Sequence, residues 1–335
     1  MTGSRGLRPT DIISLVSMDG RVFHNEAVTW GRLLHAHQPP RAVESALDSL
    51  LALAVRHNTW VSLEGQQVRA LVTGRQRGPY AWEVNTLLAT DEDPSLVEGL
   101  LQQVAETARR AGAQRLFLRL RNDSAVLPQA LAVGFAHCHV ERLFVREDSP
   151  LSGGYASPNG FRPAQPDDRL GLFRLYCETL PATQRMREAA TLAQWLSLRE
   201  RDGSRHKGEF VLEGPDGRLM AWLRVAREGR AVRLMPLLLH PDRADDAEAL
   251  LWAAFSSVAR EDRGSVIALV PEALAGFGPA LEAMGFEERA SYLVLVMKLA
   301  LEVMAEEHAV AFARNGMKSV GAQGPISAIK LRVHQ

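Results

Sequence analysis

The sequence contains few cysteines and few lysines, and its charges cancel. Its 335 residues include two cysteines, too few for a disulfide scaffold of this length. Basic charge comes almost entirely from Arg, and Lys+Arg and Asp+Glu stand at 39 each, so the formal net charge is zero. A balanced charge argues against bulk electrostatic attraction to nucleic acid or to an anionic membrane. We therefore expect neither kind of partner.

Long apolar runs are also missing. The longest, YLVLVMKLALEV at 292–303, is interrupted by Lys298 and is too short to span a bilayer, so it predicts a core strand. The first residues, MTGSRGLRPTDIISLV, have neither an apolar core nor a small-residue cleavage site, which is not the pattern of a signal peptide. With two cysteines, these features predict a cytoplasmic location.

Four short segments recur in order along the chain, which indicates an internal repeat. GLRP at 6–9 matches GFRP at 160–163, LEG at 63–65 matches LEG at 212–214, Leu87-Leu88 matches Leu237-Leu238, and Gly134-Phe135 matches Gly285-Phe286. All four spacings are close to 150 residues, roughly the size of one domain. The segment at 151–160 is rich in Gly and Ser, as linkers are. We predict domains at 1–150 and 151–300, followed by an extension at 301–335.

Both halves predict the same order of elements, more clearly in the second. There, a short strand at 160–168 precedes a helical region, 169–200, with Leu172, Phe173 and Leu175 at helical spacing. A hairpin turns at EGPDG, and a third strand covers 231–240. Helix 245–261, strand 265–270, helix 271–284 and a last strand from Phe286 follow.

This order, with GFRPAQPDD, LLLHPD and LEAMGF, resembles the GNAT superfamily of acyl-CoA-dependent N-acyltransferases over 1–148 and 160–299. The resemblance implies an α/β (α+β mixed sheet) fold. It would contain two tandem GNAT-like domains, each a mostly antiparallel mixed sheet flanked by helices. It also implies acetyl-CoA or coenzyme A as cofactor, and a fourth strand that bulges where the thioester binds. Pro236, inside the strand at 231–240, is suited to such a bulge.

The family binds the coenzyme A pyrophosphate in a glycine-rich loop between the fourth strand and its helix. By resemblance, the cofactor-binding residues are His240, Asp242, Arg243 and Ala244. The loop departs from the family pattern in both halves, since acidic residues replace glycines: Asp245 and Asp246 in half two, and 91–93 in half one. Acidic residues at a helix N-terminus also stabilise the helix, so a capping role is the alternative.

The family's proton donor, a Tyr four residues before the Gly of Gly-Phe, is replaced by Ala130 and Leu281. Glu83 and Asn85 alternate along the strand 81–89, which borders the acceptor cleft in the family fold, so they are the catalytic candidates, Glu83 as general base. An exposed polar face of a half-buried strand is the alternative.

A metal site at His137, Cys138 and His139 is not expected, because alternation along a strand turns Cys138 away from both histidines. Cys177 is predicted to be a small buried hydrophobic residue. The segment at 306–335 lies outside the repeat and could fold back onto a sheet, pair with another chain in a homo-oligomer, or remain mobile.

Two functions remain. The first is an acyl-CoA (acetyl-CoA)-dependent N-acyltransferase acting on a small-molecule or peptide amine. The second is a non-catalytic GNAT-like protein that binds a ligand or partner and has lost the chemistry of coenzyme A. The acidic loops favour the second function, and the resemblance favours the first.

Overall fold

The structure is a computed structural model of the 335-residue chain. The residues that it describes are 2–8, 11, 25–29, 33, 58–64, 67–89, 95–147, 156–198, 206–228, 231–258, 265–274 and 276–299. They lie within one compact unit, Met1–Leu301. The predicted extension at 301–335 and the acidic residues at 91–93 lie outside the described residues.

The described residues form twelve strands and seven α-helices. The strands are β1 Thr2–Gly6, β2 Thr59–Glu64, β3 Gln67–Gly78, β4 Ala81–Ala89, β5 Arg115–Arg121, β6 Ala136–Arg146, β7 Phe161–Pro163, β8 His206–Glu213, β9 Leu219–Glu228, β10 Ala231–Leu239, β11 Val266–Pro271 and β12 Glu287–Lys298. The helices are α1 Ser95–Arg110, α2 Leu127–Ala132, α3 Arg169–Thr179, α4 Ala182–Glu188, α5 Leu192–Leu198, α6 Ala247–Val258 and α7 Phe277–Ala283. Short 3-10 turns at Pro166–Asp168 and Pro241–Asp246 precede α3 and α6.

All twelve strands belong to one sheet, in the order β1-β2-β3-β4-β5-β12-β6-β11-β10-β9-β8-β7. The order is symmetric about its centre, since β1 to β5 on one side match β7 to β11 on the other. The two central strands are exchanged: β12, the last strand of half two, pairs with β5, and β6, the last strand of half one, pairs with β11. The halves are therefore joined through backbone hydrogen bonds in a continuous sheet.

Each half of the sheet is mixed and mostly antiparallel, as predicted. The single parallel pairs are β4 with β5 and β10 with β11, and the connection between each pair contains a helix, α1 or α6. Helix α1 shows why these segments are helical: Val97, Leu100, Leu101 and Val104 are fully buried at spacings of three and four residues. Glu98 in its first turn and arginines in its last turn complement the helix dipole.

The Gly-Phe pairs close the same turn in both halves. Gly134 and Gly285 adopt φ values of +104° and +81°, which favour glycine. Phe135 N–H donates to the carbonyl of Ala130, and Phe286 N–H donates to that of Leu281, at 3.1 and 3.0 Å. Ala130 and Leu281 are both fully buried, so the positions of the family's tyrosine belong to the core here.

A second repeated feature is an ion pair at the start of each half. Arg5 binds Asp11 at 2.7 Å and Arg162 binds Asp168 at 2.8 Å, in both cases six residues apart. Each carboxylate also accepts a backbone N–H three residues earlier in the chain. The ion pairs show that Arg5 is the structural equivalent of Arg162. The match of GLRP to GFRP had instead aligned Arg8 with Arg162, three residues away.

Two helices of half two, α4 and α5, pack against half one. The region predicted as helical at 169–200 forms three helices, and the break between α4 and α5 lies at Ala189, whose backbone is extended. The end of α5 lies over the β3–β4 hairpin, where Arg77 donates to the carbonyl of Leu198 at 2.8 Å. The division into domains at 1–150 and 151–300 stays a prediction.

Candidate functional site

The parallel strand pairs diverge in both halves. β4 and β5 are paired only at Ala81, Trp82 and Glu83, and then separate. β10 and β11 are paired only from Val232 to Leu234, and then separate. Beyond these points, the backbone N–H and C=O groups of the two strands no longer form hydrogen bonds with each other. Each divergence is a place where an extended ligand could add to the sheet.

A β-bulge lies on the fourth strand of each half, next to the divergence. The register with β3 shifts so that Asn85 is the extra residue of β4, between Val84 and Thr86. The register of β10 with β9 shifts in the same way between Pro236 and Leu238. The bulge predicted from Pro236 is therefore confirmed. The bulge at Asn85 also interrupts the alternation that placed Glu83 and Asn85 on one face.

In half one, the divergence is occupied by the chain itself. Glu26 N–H donates to the carbonyl of Leu87 on β4, and Val28 N–H donates to that of Arg119 on β5, both at 2.9 Å. Asn25 accepts the N–H of Leu87 through its side-chain oxygen at 2.8 Å. Residues 25–28, which we call the inserted segment, thus bridge the two strands. No sequence motif marks this segment, so it could not be predicted from the sequence.

In half two, the described residues include no segment that bridges β10 and β11 in this way. The mouth of this divergence is bounded by the turn Pro241–Asp246 and by the connection from β11 to α7. The two approach closely at one point, because a Cβ built on Gly276 would lie 3.3 Å from both the Cβ and the carbonyl oxygen of Ala244. Glycine at this position allows the two walls to meet.

The predicted cofactor loop forms the 3-10 turn before α6. His240 Nδ1 accepts the N–H of Asp242 at 3.3 Å, and the His240 carbonyl accepts the N–H of Arg243 at 3.0 Å. Arg243 is partly exposed and forms an ion pair with Asp246. The turn brings His240, Asp242, Arg243 and Ala244 together at the end of β10. Some of their polar groups form hydrogen bonds with one another. Their role in cofactor binding stays a prediction.

Glu83 is buried in half one rather than exposed to a cleft. Its side chain is 6% exposed and forms an ion pair with Arg75, while Arg77 lies 3.8 Å from its other oxygen. Asn85 is half-buried on the bulge. The structure therefore brings Glu83 together with two arginines. The catalytic assignment of Glu83 and Asn85 stays a prediction.

Comparisons with solved structures found chains of similar fold. A GCN5-related N-acetyltransferase from Sphaerobacter thermophilus superposes with a TM-score of 0.54 at 16% identity, over 89% of this chain and 96% of the other. A tandem GNAT protein from the clavulanic acid biosynthesis pathway gives a TM-score of 0.48 at 17% identity, over 90% and 99%. A GCN5-related N-acetyltransferase from Kribbella flavida gives 0.43 at 13% identity, over 89% and 72%.

The chain has the GNAT fold, and the order of its strands is symmetric about the centre of the sheet. No protein-family model and no curated protein matches the sequence. Among the described helices, none is both long and apolar enough to cross a membrane.

Proposed function

We propose that the protein is an acyl-CoA-dependent N-acyltransferase whose acyl-CoA site lies in half two, where β10 and β11 diverge. The observation that carries the proposal is the difference between the two divergences. In half one, the inserted segment forms hydrogen bonds with backbone groups of β4 and β5, whereas no described segment does so with β10 and β11 in half two. The amides of an extended pantetheine arm could pair with the free edge of β10, as a peptide pairs with a sheet edge.

The turn Pro241–Asp246 would receive the pyrophosphate. It stands at the N-terminal end of α6, where the helix dipole favours an anion, and Arg243 supplies a positive charge. The acidic residues 245 and 246 oppose this, so Arg243 would exchange Asp246 for a phosphate oxygen when the ligand binds. This exchange predicts a modest affinity.

The amine nitrogen of the acceptor would attack the thioester carbonyl carbon directly. The carbon–sulfur bond then breaks, the acyl group remains on nitrogen as an amide, and the thiolate leaves. Overall, one proton passes from the amine to the sulfur, and we propose that water relays it. Neither Ala130 nor Leu281 can donate that proton. Water still delivers it, so the loss of the family's tyrosine lowers the rate of the reaction but does not prevent it.

Glu83 and Asn85 would not act on a thioester bound in half two. β4 and β10 are separated by five strand spacings of about 4.8 Å each, roughly 24 Å in all. A catalytic role for Glu83 therefore requires a second acyl group, bound between β4 and β5 in half one. The inserted segment would have to leave that position first.

Calorimetric titration of the full chain with acetyl-CoA and with free coenzyme A tests the proposal. We expect one site per chain and a roughly tenfold or larger loss of affinity in Arg243→Glu, because the substitution places a negative charge beside the phosphates. Asn25→Ala is the matched control in half one and should leave the affinity unchanged. Absence of binding at about millimolar ligand, or a loss in Asn25→Ala but not in Arg243→Glu, would refute the site.

The ion pair between Arg243 and Asp246 favours a second candidate, a non-catalytic GNAT-like protein. In this case the turn is a helix cap, and the cleft in half two serves another ligand or partner. Failure to bind either acetyl-CoA or coenzyme A in a correctly folded chain would select this function. Binding without turnover of any amine tested would select a coenzyme A-binding protein.

A further inference from the structure

A sulfur, a nitrogen and an oxygen ligand atom meet at the junction of the two halves. Cys138 and His139 lie on the central strand β6, and Glu188 lies at the end of α4 in half two. The three ligand atoms all lie within 4.8 Å of one another. The Cys138 sulfur is 3.7 Å and His139 Nδ1 is 2.8 Å from the same carboxylate oxygen, Oε1 of Glu188.

A β-bulge makes this convergence possible. On the partner strand β12, Val294 pairs with His139 and the next residue, Leu295, pairs with His137, so Cys138 is the extra residue of β6. Regular alternation would point Cys138 and His139 to opposite faces. The bulge removes that alternation, which was the reason to expect no metal site. His137 is not part of the cluster, and Glu188 takes its place.

The Nε2 nitrogen of His139, which points away from the cluster, contacts a second carboxylate. Nε2 lies 3.3 Å from Glu141, and Glu141 accepts a hydrogen bond from Arg119 at 2.6 Å. A carboxylate on the outer nitrogen of a histidine is the usual support for a metal-binding imidazole, because it places the proton on Nε2 and leaves the Nδ1 lone pair free. Glu141 and its arginine thus orient His139 towards Cys138 and Glu188.

The other ring nitrogen, Nδ1, faces the cluster and has no aligned hydrogen bond within the described part of the chain. Nδ1 of His139 is buried and makes no aligned hydrogen bond to any described residue, although it lies 2.8 Å from the Glu188 carboxylate. A cation seated among the Cys138 sulfur, His139 Nδ1 and the Glu188 carboxylate would be bound by all three at once, with the thiol proton released. The poor alignment disfavours a shared proton, whereas a metal ion needs each donor to point at a common centre instead of at each other.

We propose that Cys138, His139 and Glu188 bind a zinc ion. Mixed thiolate, imidazole and carboxylate ligands suit zinc, and donors about 2.0–2.3 Å from a tetrahedral centre lie roughly 3.3–3.7 Å apart. Opening the contact between Nδ1 and Oε1 by about 0.5 Å meets that spacing. Gln184 donates to Glu188 at 2.8 Å and would hold the carboxylate in place. The ion would tie β6 to α4, and its fourth position would hold water.

Metal analysis and cobalt substitution of the purified full chain test the site. We expect one zinc per chain, and a cobalt complex with the near-ultraviolet band of sulfur-to-metal charge transfer. Cys138→Ser should abolish the band and weaken zinc binding by about 100-fold or more. Cys177→Ser, on α3, is the matched cysteine control and should retain both. Glu141→Gln should lower zinc affinity about 10- to 100-fold while the chain stays folded.

Equal zinc binding by wild type and Cys138→Ser would overturn the proposal, as would a wild type that binds neither zinc nor cobalt. If Cys138→Ser does not fold, Glu188→Gln gives the same test, because it keeps the size of the side chain and removes the charge. A wild type in which nuclear magnetic resonance finds His139 protonated on both nitrogens in the presence of zinc also refutes the site.

Discussion

The two halves of the sheet share their strands, bulges and turns, and they differ at the point where the parallel strands separate. In half one, the inserted segment binds both β4 and β5 through backbone hydrogen bonds. In half two, the described residues leave β10 and β11 unbridged. The same arrangement of strands is thus closed by the chain itself in half one, and it is the basis of the proposed acyl-CoA site in half two.

The comparison also explains why the exchange of the last strands matters. Because β12 completes the sheet of half one and β6 completes that of half two, neither half contains all of its own sheet. The site proposed in half two therefore lies next to β11, which pairs with a strand from half one.

The largest expected effect tests the turn that precedes β12. Leu281→Ala removes a fully buried side chain from the core of half two, which should lower the free energy of unfolding by about 2–5 kcal/mol. The matching position in half one is already Ala130, so Ala130→Gly is the smaller companion change and should cost about 1 kcal/mol. Urea unfolding measures both. A loss below about 1 kcal/mol in Leu281→Ala would show that this turn does not belong to the core.

The next effect tests whether the two ion pairs are equivalent. Hydrogen bonds from Arg162 hold the pKa of Asp168 below its usual value, and Arg5 does the same for Asp11. Because the folded-state pKa is the lower one, each pair stabilises the protein above the unfolded pKa near 3.8 and loses that contribution as pH falls through the folded pKa. Asp168→Asn and Asp11→Asn should each cost roughly 1–2 kcal/mol at neutral pH.

Melting temperatures between pH 6 and pH 2 separate the outcomes for the ion pairs. Each variant should show a shallower decline below about pH 4 than the wild type, since the titrating group has been removed. Equal effects in the two variants would support equivalent halves. A decline as steep as that of the wild type in either variant would contradict the role of its aspartate.

The smallest effect tests the Gly-Phe turns directly. Gly134→Ala and Gly285→Ala place a side chain at positive φ, and each should cost about 1 kcal/mol. No heavy atom outside the turn lies closer than 3.8 Å to a Cβ built at either position, so backbone strain accounts for the cost. The two losses should agree in chemical denaturation. A neutral result at one position would show that its turn relaxes and that the halves are not equivalent there.

Much of the fold could be predicted from the sequence because local patterns carry it. Apolar residues at helical spacing predicted α3, EGPDG predicted the β8–β9 hairpin, and Pro236 predicted the bulge in β10, all within the described residues. The repeated Gly-Phe marked equivalent turns. These signals depend on neighbours a few residues apart, and such interactions are readable without the tertiary structure.

The candidate sites were less accessible, because their partners are distant in the chain. Glu83 looked like a residue of an exposed strand face, and the structure surrounds it with Arg75 and Arg77. The inserted segment lies about sixty residues before its partner Leu87, and Glu188 lies fifty residues after Cys138. Nothing in the spacing of these residues indicates that they meet.

By itself, the sequence determined a mixed α/β fold with two equivalent Gly-Phe turns, since turn glycines, apolar periodicity and a proline at a bulge act locally, and the Gly-Phe turns recur about 150 residues apart. Only the tertiary structure decided that the last strands are exchanged, that half one is closed by residues 25–28, and that Cys138 and His139 face Glu188. The physical reason is that strand pairing and bulges are set by contacts between distant segments. A shift of one residue in a ladder reverses the face that a side chain occupies.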